Sequence, residues 1–287
     1  MRINPVYKKE LKLSVRSRKL PINIVLYNTI LTLFSLMAFY AILGTMGYGG
    51  GVDYTSVLML YVAIAVMQII LVVFLVPSIT AGSIAGEREK QTLEILLTTK
   101  LTSGQIIRGK LLSSISELIL LVFSSIPVMA IIFSIGGVSV KDLCQLILMI
   151  VVTAVLAGSI GIFMSARFKK TMVATICTYA VILIFGIGYP LLVILMNSIA
   201  TANEWNIDLG FMSSICLVHP GVTLGVMLGN QFGSVDMMMK VFTHFGITNV
   251  WISEHWFWIS LVVQLAVSLI FLWLAQVVLN PIKKPKK

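Results

Sequence analysis

Residues 85–99 read Ala-Gly-Glu-Arg-Glu-Lys-Gln-Thr-Leu-Glu-Ile-Leu-Leu-Thr-Thr, a densely charged stretch in a chain otherwise made of apolar spans and short loops. Leu93, Leu96 and Leu97 recur at helical spacing, and Glu87, Arg88, Glu89, Lys90, Gln91 and Glu94 decorate the remaining surface. That pattern predicts an amphipathic helix about three turns long. Glu87 precedes Gln91, and Lys90 precedes Glu94, by the four residues that let side chains meet on one helix face. Thr98, Thr99, Thr102 and Ser103 interrupt the pattern, and Thr102 with Gln105 has the spacing of a capping box opening a second helix. The expected product is a helical hairpin.

Around this hairpin the composition dictates the solvent. Of 287 residues 58% are hydrophobic and 11% charged, and the mean hydropathy is +1.00. Soluble domains carry charge on about a quarter of their residues, so the chain is expected to be an all-α protein crossing a membrane several times. The formal charge of +10 would suit a nucleic-acid partner only if it formed a basic face on a soluble fold. Here the charges sit between apolar spans, and no nucleic-acid partner is expected. Cys144, Cys177 and Cys216 lie in or beside apolar stretches without CxxC spacing and read as small buried hydrophobes. The N-terminal residues lack the short apolar core and early cleavage site of a removable signal peptide.

In chain order, residues 1–20 interleave Ile3, Val6, Tyr7, Leu11, Leu13 and Val15 with Lys8, Lys9, Lys12, Arg16, Arg18 and Lys19, as an amphipathic interfacial helix on anionic membrane lipids would. Six spans are expected at 22–43, 56–79, 111–135, 143–166, 171–199 and 255–279, with a cytoplasmic loop at 80–110. Gly186, Gly188 and Pro190 predict a bend or break in the fifth span. The long connection at 200–254 contains a stretch interrupted by His219-Pro-Gly, read as two short re-entrant helices joined by a Pro-Gly turn. Trp251, Trp256, Phe257 and Trp258 read as an interfacial aromatic belt.

Six spans with a cytoplasmic N-terminus place 19 of the 21 Lys and Arg inside, leaving only Lys141 and Lys240 outside. This asymmetry puts both termini and the 80–110 loop in the cytoplasm. A seventh span would expel the basic tail Lys283, Lys284, Lys286 and Lys287. Within the loop, Glu87, Glu89 and Glu94 nearly balance Arg88, Lys90 and Lys100, so a protein partner suits the hairpin better than anionic lipid.

Other motifs carry less. Residues 104–110 formally match the G-x-x-x-x-G-K of a phosphate loop. Leu111 stands where Ser or Thr would hold magnesium and no strand precedes it, so no nucleotide or cofactor site is expected in this chain. Lys110 and Arg108 are expected at headgroup level. Glu117, about two turns further along the third span, is a candidate intramembrane functional charge or a structural residue reaching Lys110 or a neighbouring helix. His219, His244 and His255 lack metal-ligand spacing, and no catalytic or metal-binding constellation can be assembled.

Residues 81–99, Ala-Gly-Ser-Ile-Ala-Gly-Glu-Arg-Glu-Lys-Gln-Thr-Leu-Glu-Ile-Leu-Leu-Thr-Thr, with the following Leu-Thr-Ser-Gly-Gln-Ile-Ile-Arg-Gly-Lys to 110, resemble the signature of ABC-2 type ABC transporter permeases. The opening Asn-Pro-Val-Tyr-Lys-Lys-Glu-Leu at 4–11 is similar to their amphipathic start, and the six-span layout agrees. The resemblance implies the transmembrane subunit of an exporter in the cytoplasmic membrane of a bacterium or archaeon. Its coupling helix, residues 86–97, would seat in a groove of a separate ATP-binding subunit that carries ATP and Mg. Gly86, Glu87, Arg88, Glu89, Thr92, Leu93, Glu94, Leu96 and Leu97 would form that contact, the leucines as an apolar anchor and the charged residues as ion pairs at its rim. Two ATP-binding subunits and a second permease, identical or similar, complete the implied assembly, whose motion would push on the second and third spans. Two other classes compete: a non-transporting scaffold that recruits a cytosolic protein through the hairpin, and an intramembrane enzyme acting on lipid or peptide. The enzyme should show a catalytic pair at one bilayer depth, and the sequence contains none.

Overall fold

The computed structural model describes residues 4–45, 54–98, 101–135, 138–203, 215–232 and 250–280, and the regular elements among them are helical. In chain order they are α1 (Pro5–Arg16), α2 (Lys19–Thr45), α3 (Tyr54–Thr80), α4 (Ala85–Glu89), α5 (Leu93–Leu97), α6 (Ser103–Ser124), α7 (Ile126–Ile135), α8 (Val140–Arg167), α9 (Thr171–Leu183), α10 (Tyr189–Ala202), α11 (Pro220–Gln231) and α12 (Val250–Leu279). Among the described residues six stretches are long and apolar enough to cross a membrane: Lys19–Ala41, Val57–Glu89, Ser103–Ala130, Val140–Arg167, Thr171–Met196 and His255–Leu279. Large apolar side chains stand exposed along them, among them Met37, Phe74, Met172 and Leu269. In water such a surface would drive aggregation; a bilayer covers it.

Caps set several ends. Asn4 accepts the Val6 N–H at 3.0 Å and Pro5 takes the first helical position of α1. The expected box at Thr102 is present, with Gln105 N–H donating to Thr102 Oγ1 (3.3 Å) and Thr102 N–H to Gln105 Oε1 (3.1 Å). It starts α6 at Ser103, eight residues before the span boundary expected from hydropathy. A second box, Ser139 with Asp142, starts α8.

The chain divides into two compact units, one of Met1–Thr178 with Leu269–Lys287, the other of Tyr179–Ser268. In the first, α8 is the central helix, buried almost continuously from Val152 to Ile162. It packs against α3 and α6, while α2 lies on α3 and α6. Small residues permit the approach: a Cβ on Gly161 would overlap the Thr80 side chain of α3. Polar side chains also tie the bundle, Asn28 Nδ2 donating to Ser124 Oγ (2.7 Å) and Gln68 Nε2 to Ser125 Oγ (2.9 Å). Where one span was expected at 111–135, the helix breaks at Ser125 into α6 and α7. Pro127 lacks the N–H that would continue the ladder, and Ser125 Oγ donates to the Val122 carbonyl at 2.8 Å.

In the second unit, α9 passes through a π-helical turn, Ile184–Gly188, into α10, where Gly186, Gly188 and Pro190 predicted the break. Pro190 cannot donate to Gly186 O, and that carbonyl is held instead by His219 Nε2 at 2.8 Å. His219 Nδ1 in turn accepts the Val222 N–H (3.1 Å), capping α11. Both bonds together require the neutral ring carrying its proton on Nε2, and burial holds His219 below the ordinary histidine pKa, against the opposing pull of the Gly186 bond. His219-Pro-Gly is therefore the start of a helix; the turn lies just before it, at Leu217 and Val218. Residues 204–214 and 233–249 of the connection, with His244 and Lys240, lie outside the described residues.

The aromatic belt expectation is corrected in part. Trp256 and Phe257 are buried, Trp256 in a cluster with Val193, Cys216, Val222 and Val226, and only Trp258 is exposed; the Trp251 side chain lies outside the described residues. Beside that cluster Thr223, Ser260 and Gln264 form a buried polar knot between α11 and α12, with Gln264 Nε2 donating to Ser260 Oγ at 3.1 Å.

Candidate functional site

The expected single helix over 86–97 is two five-residue helices, α4 and α5. Gln91 adopts φ 58°, in the left-handed region. The Gln91 N–H donates to Arg88 O (3.1 Å) and the Thr92 N–H to Glu87 O (2.9 Å), the paired bonds of a Schellman termination. Thr92 Oγ1 reinforces it on the same Glu87 carbonyl at 3.2 Å. The break separates Lys90 from Glu94 and removes the expected i,i+4 pairing.

The charged run grips its own chain. Ser165 Oγ of α8 accepts the Ile84 and Ala85 N–H groups, each at 2.9 Å, seating the start of α4. Arg88 donates to Phe168 O (2.9 Å) and Ala166 O (3.1 Å), carbonyls at the end of α8 that its helix leaves without donors. Glu89 receives the Thr171 N–H on one carboxylate oxygen (2.9 Å) and the Thr171 hydroxyl on the other (2.8 Å), placing negative charge at the head of α9. Glu87 pairs with Lys110 Nζ at 3.0 Å, and the same ammonium meets Glu10 of α1 at 3.1 Å. Gly86 rests against Thr171, its Cβ position 3.5 Å from Thr171 Cγ2, an ordinary contact.

Lys110 thus turns inward, only 4% exposed, instead of reaching headgroups as expected; Arg108 is exposed. Stripping one partner from a buried ion pair costs about 3–5 kcal/mol, whereas exposed pairs contribute about 1 kcal/mol or less, so this triad is a structural joint. The phosphate-loop lookalike is the first two turns of helix α6 with its lysine engaged in that joint. Gly109 serves packing: a Cβ there would lie 2.8 Å from Val6 Cβ, and α1 lies in the space. Glu117 is half-buried, and among the described residues no hydrogen bond or ion pair reaches it, so the alternative of a Lys110 partnership is not realised.

Leu93 and Leu96 of the apolar ridge also face inward. Leu93 is 5% exposed within a core of Val6, Ile84, Ile106, Ile107, Leu111, Ile162, Ala166, Ala275 and Leu279, and Leu96 packs on its edge. The Leu97 side chain lies outside the described residues. Lys90, Gln91, Thr92, Glu94 and Thr98 remain exposed, a polar cap on a clamped base. Glu10, Lys110, Ser165 and Thr171 were not legible as members of this site. The available signals were slight: Glu10 is the lone acid among the first twenty residues, and Thr171 follows the basic run ending α8.

Six span-length helices among the described residues, with an internally clamped helical insert, define a multi-pass α-helical membrane protein. The family described as ABC-2 family transporter protein matches residues 4–279, and the chain belongs to it: a permease component of an ABC transporter. No curated protein matches the chain at a significant level.

Proposed function

We propose that the chain is the transmembrane subunit of an ATP-driven exporter, moving substrate outward across the cytoplasmic membrane of a bacterium or archaeon. ATP and Mg are bound by separate ATP-binding subunits, two per assembly, and a second permease, identical or similar, completes the pathway. Family membership supports the permease role. One observation carries the docking site: Lys90, Gln91, Thr92, Glu94 and Thr98 are exposed on a segment whose opposite side is fixed to α1, α6, α8 and α9. A surface that must transmit force needs such backing, and its charges of both signs suit a protein groove. Leu93 and Leu96 contribute by stiffening the base; the recognition surface is polar.

The test is co-expression with a cognate ATP-binding subunit. Lys90→Glu combined with Glu94→Lys is expected to reduce co-purification at least about ten-fold, the scale of losing one interfacial contact set of about 1.4 kcal/mol. The melting temperature of the permease alone should not move. Undiminished co-purification would place docking elsewhere, and ATP-dependent uptake in place of efflux would reverse the assigned direction.

A further inference from the structure

The clamp on Arg88 and Glu89 reaches past the helices that flank the insert in sequence. Between α8 and α9 lie only three residues, 168–170, and both sides of this turn are held by adjacent side chains of α4. Arg88 binds the carbonyl end of α8, at 2.9 and 3.1 Å; Glu89 binds the amide and hydroxyl of Thr171, the first residue of α9, at 2.9 and 2.8 Å. The two helix ends carry opposite partial charge, negative on α8 and positive on α9, and the two side chains match them in order. Ser165 holds the backbone of α4 from beneath. Displacement of α4 therefore strains charge-assisted bonds to both helices at once.

The helices differ in how far they can respond. α8 is the buried centre of its unit, whereas α9 buries only Ala174 and Thr178, with Met172, Val173 and Ile176 exposed. Glu89 is thus a polar tether on a helix with few apolar anchors. We propose that Arg88 and Glu89 are positioning residues that carry movement of the α4–α5 segment into the start of the fifth span, with α8 as the fulcrum. This rests on the docking reading above, and differs from a push confined to the second and third spans.

Hydrogen exchange tests it in two arms. In the purified permease, Glu89→Gln and Thr171→Val should each speed exchange of amides 171–178 about ten-fold, and the double variant should add little. In the complex with its ATP-binding subunit, the wild type should change exchange at both 85–98 and 171–178 between nucleotide-free and ATP-vanadate states. Glu89→Gln should keep the change at 85–98 and lose it at 171–178, with partial return in Glu89→Asp, a pattern that generalised destabilisation does not produce. Unaltered exchange at 171–178 in the isolated Glu89→Gln permease overturns the tether, as does a retained nucleotide response there in the complex. Failure of any ATP-binding subunit to co-purify with the wild type overturns the docking reading and transmission with it; co-purification with an unmoved 171–178 overturns transmission alone.

Discussion

Gln91 holds a backbone conformation that glycine normally fills. At φ 58° a side chain strains against its own carbonyl by about 1–2 kcal/mol, while glycine in its place adds roughly 0.5–1 kcal/mol of unfolded-chain entropy. The strain is the larger effect, so Gln91→Gly is expected to stabilise the permease by about 0.5–1 kcal/mol, read as a rise in melting temperature in detergent. A fall would mean that the Gln91 side chain makes a stabilising contact that outweighs its strain. The same stretch marks how far residue types could be read. The spacing of Leu93 and Leu96 marks an apolar side, yet periodicity does not tell whether a neighbour or a partner covers it. Here Val6, Ile106 and Ala275, distant in sequence, cover Leu93. Likewise Glu87, Arg88 and Glu89 announced ion pairs, but Lys110, Phe168 and Thr171 are partners that only the folded chain brings near.

At the scale of elements, the spans were legible because hydropathy over twenty residues is a strong signal, and the fifth-span break because Gly186, Gly188 and Pro190 coincide. The split at Ser125 was not foreseen, since a single Pro127 in a span is often absorbed as a kink. Packing depends on individual glycines in a way that composition conceals. Gly161 leaves no space for a methyl against Thr80, whose hydroxyl is already committed to Val76 O at 2.9 Å, whereas Gly158 faces the mobile end of Leu111 at 3.3 Å. Gly161→Ala is therefore expected to destabilise the α3–α8 contact by about 1–3 kcal/mol, and Gly158→Ala by less. Melting temperatures of the two variants check this; equal shifts would show that α3 can slide on α8 without penalty.

For the whole molecule, function depends on which side of the membrane the 85–98 segment faces. Hydropathy is silent on this, and the cytoplasmic expectation rests on the basic residues, because translocating Lys and Arg is disfavoured and a six-span path with a cytoplasmic N-terminus puts 19 of 21 inside. Lys90, Lys141 and Lys169 are all exposed and sample both sides. In a variant lacking Cys144, Cys177 and Cys216, Lys141→Cys should react with a membrane-impermeant maleimide in intact cells, while Lys90→Cys and Lys169→Cys should react only after permeabilisation. The clamp makes the pair informative together: Glu89 joins α4 to Thr171, so Lys90 and Lys169 must share a side. Labelling of Lys90→Cys in intact cells would put the exposed polar cap beyond reach of any ATP-binding protein. The chain's spans would stand unchanged, but the segment that most distinguishes it would need an extracytoplasmic partner.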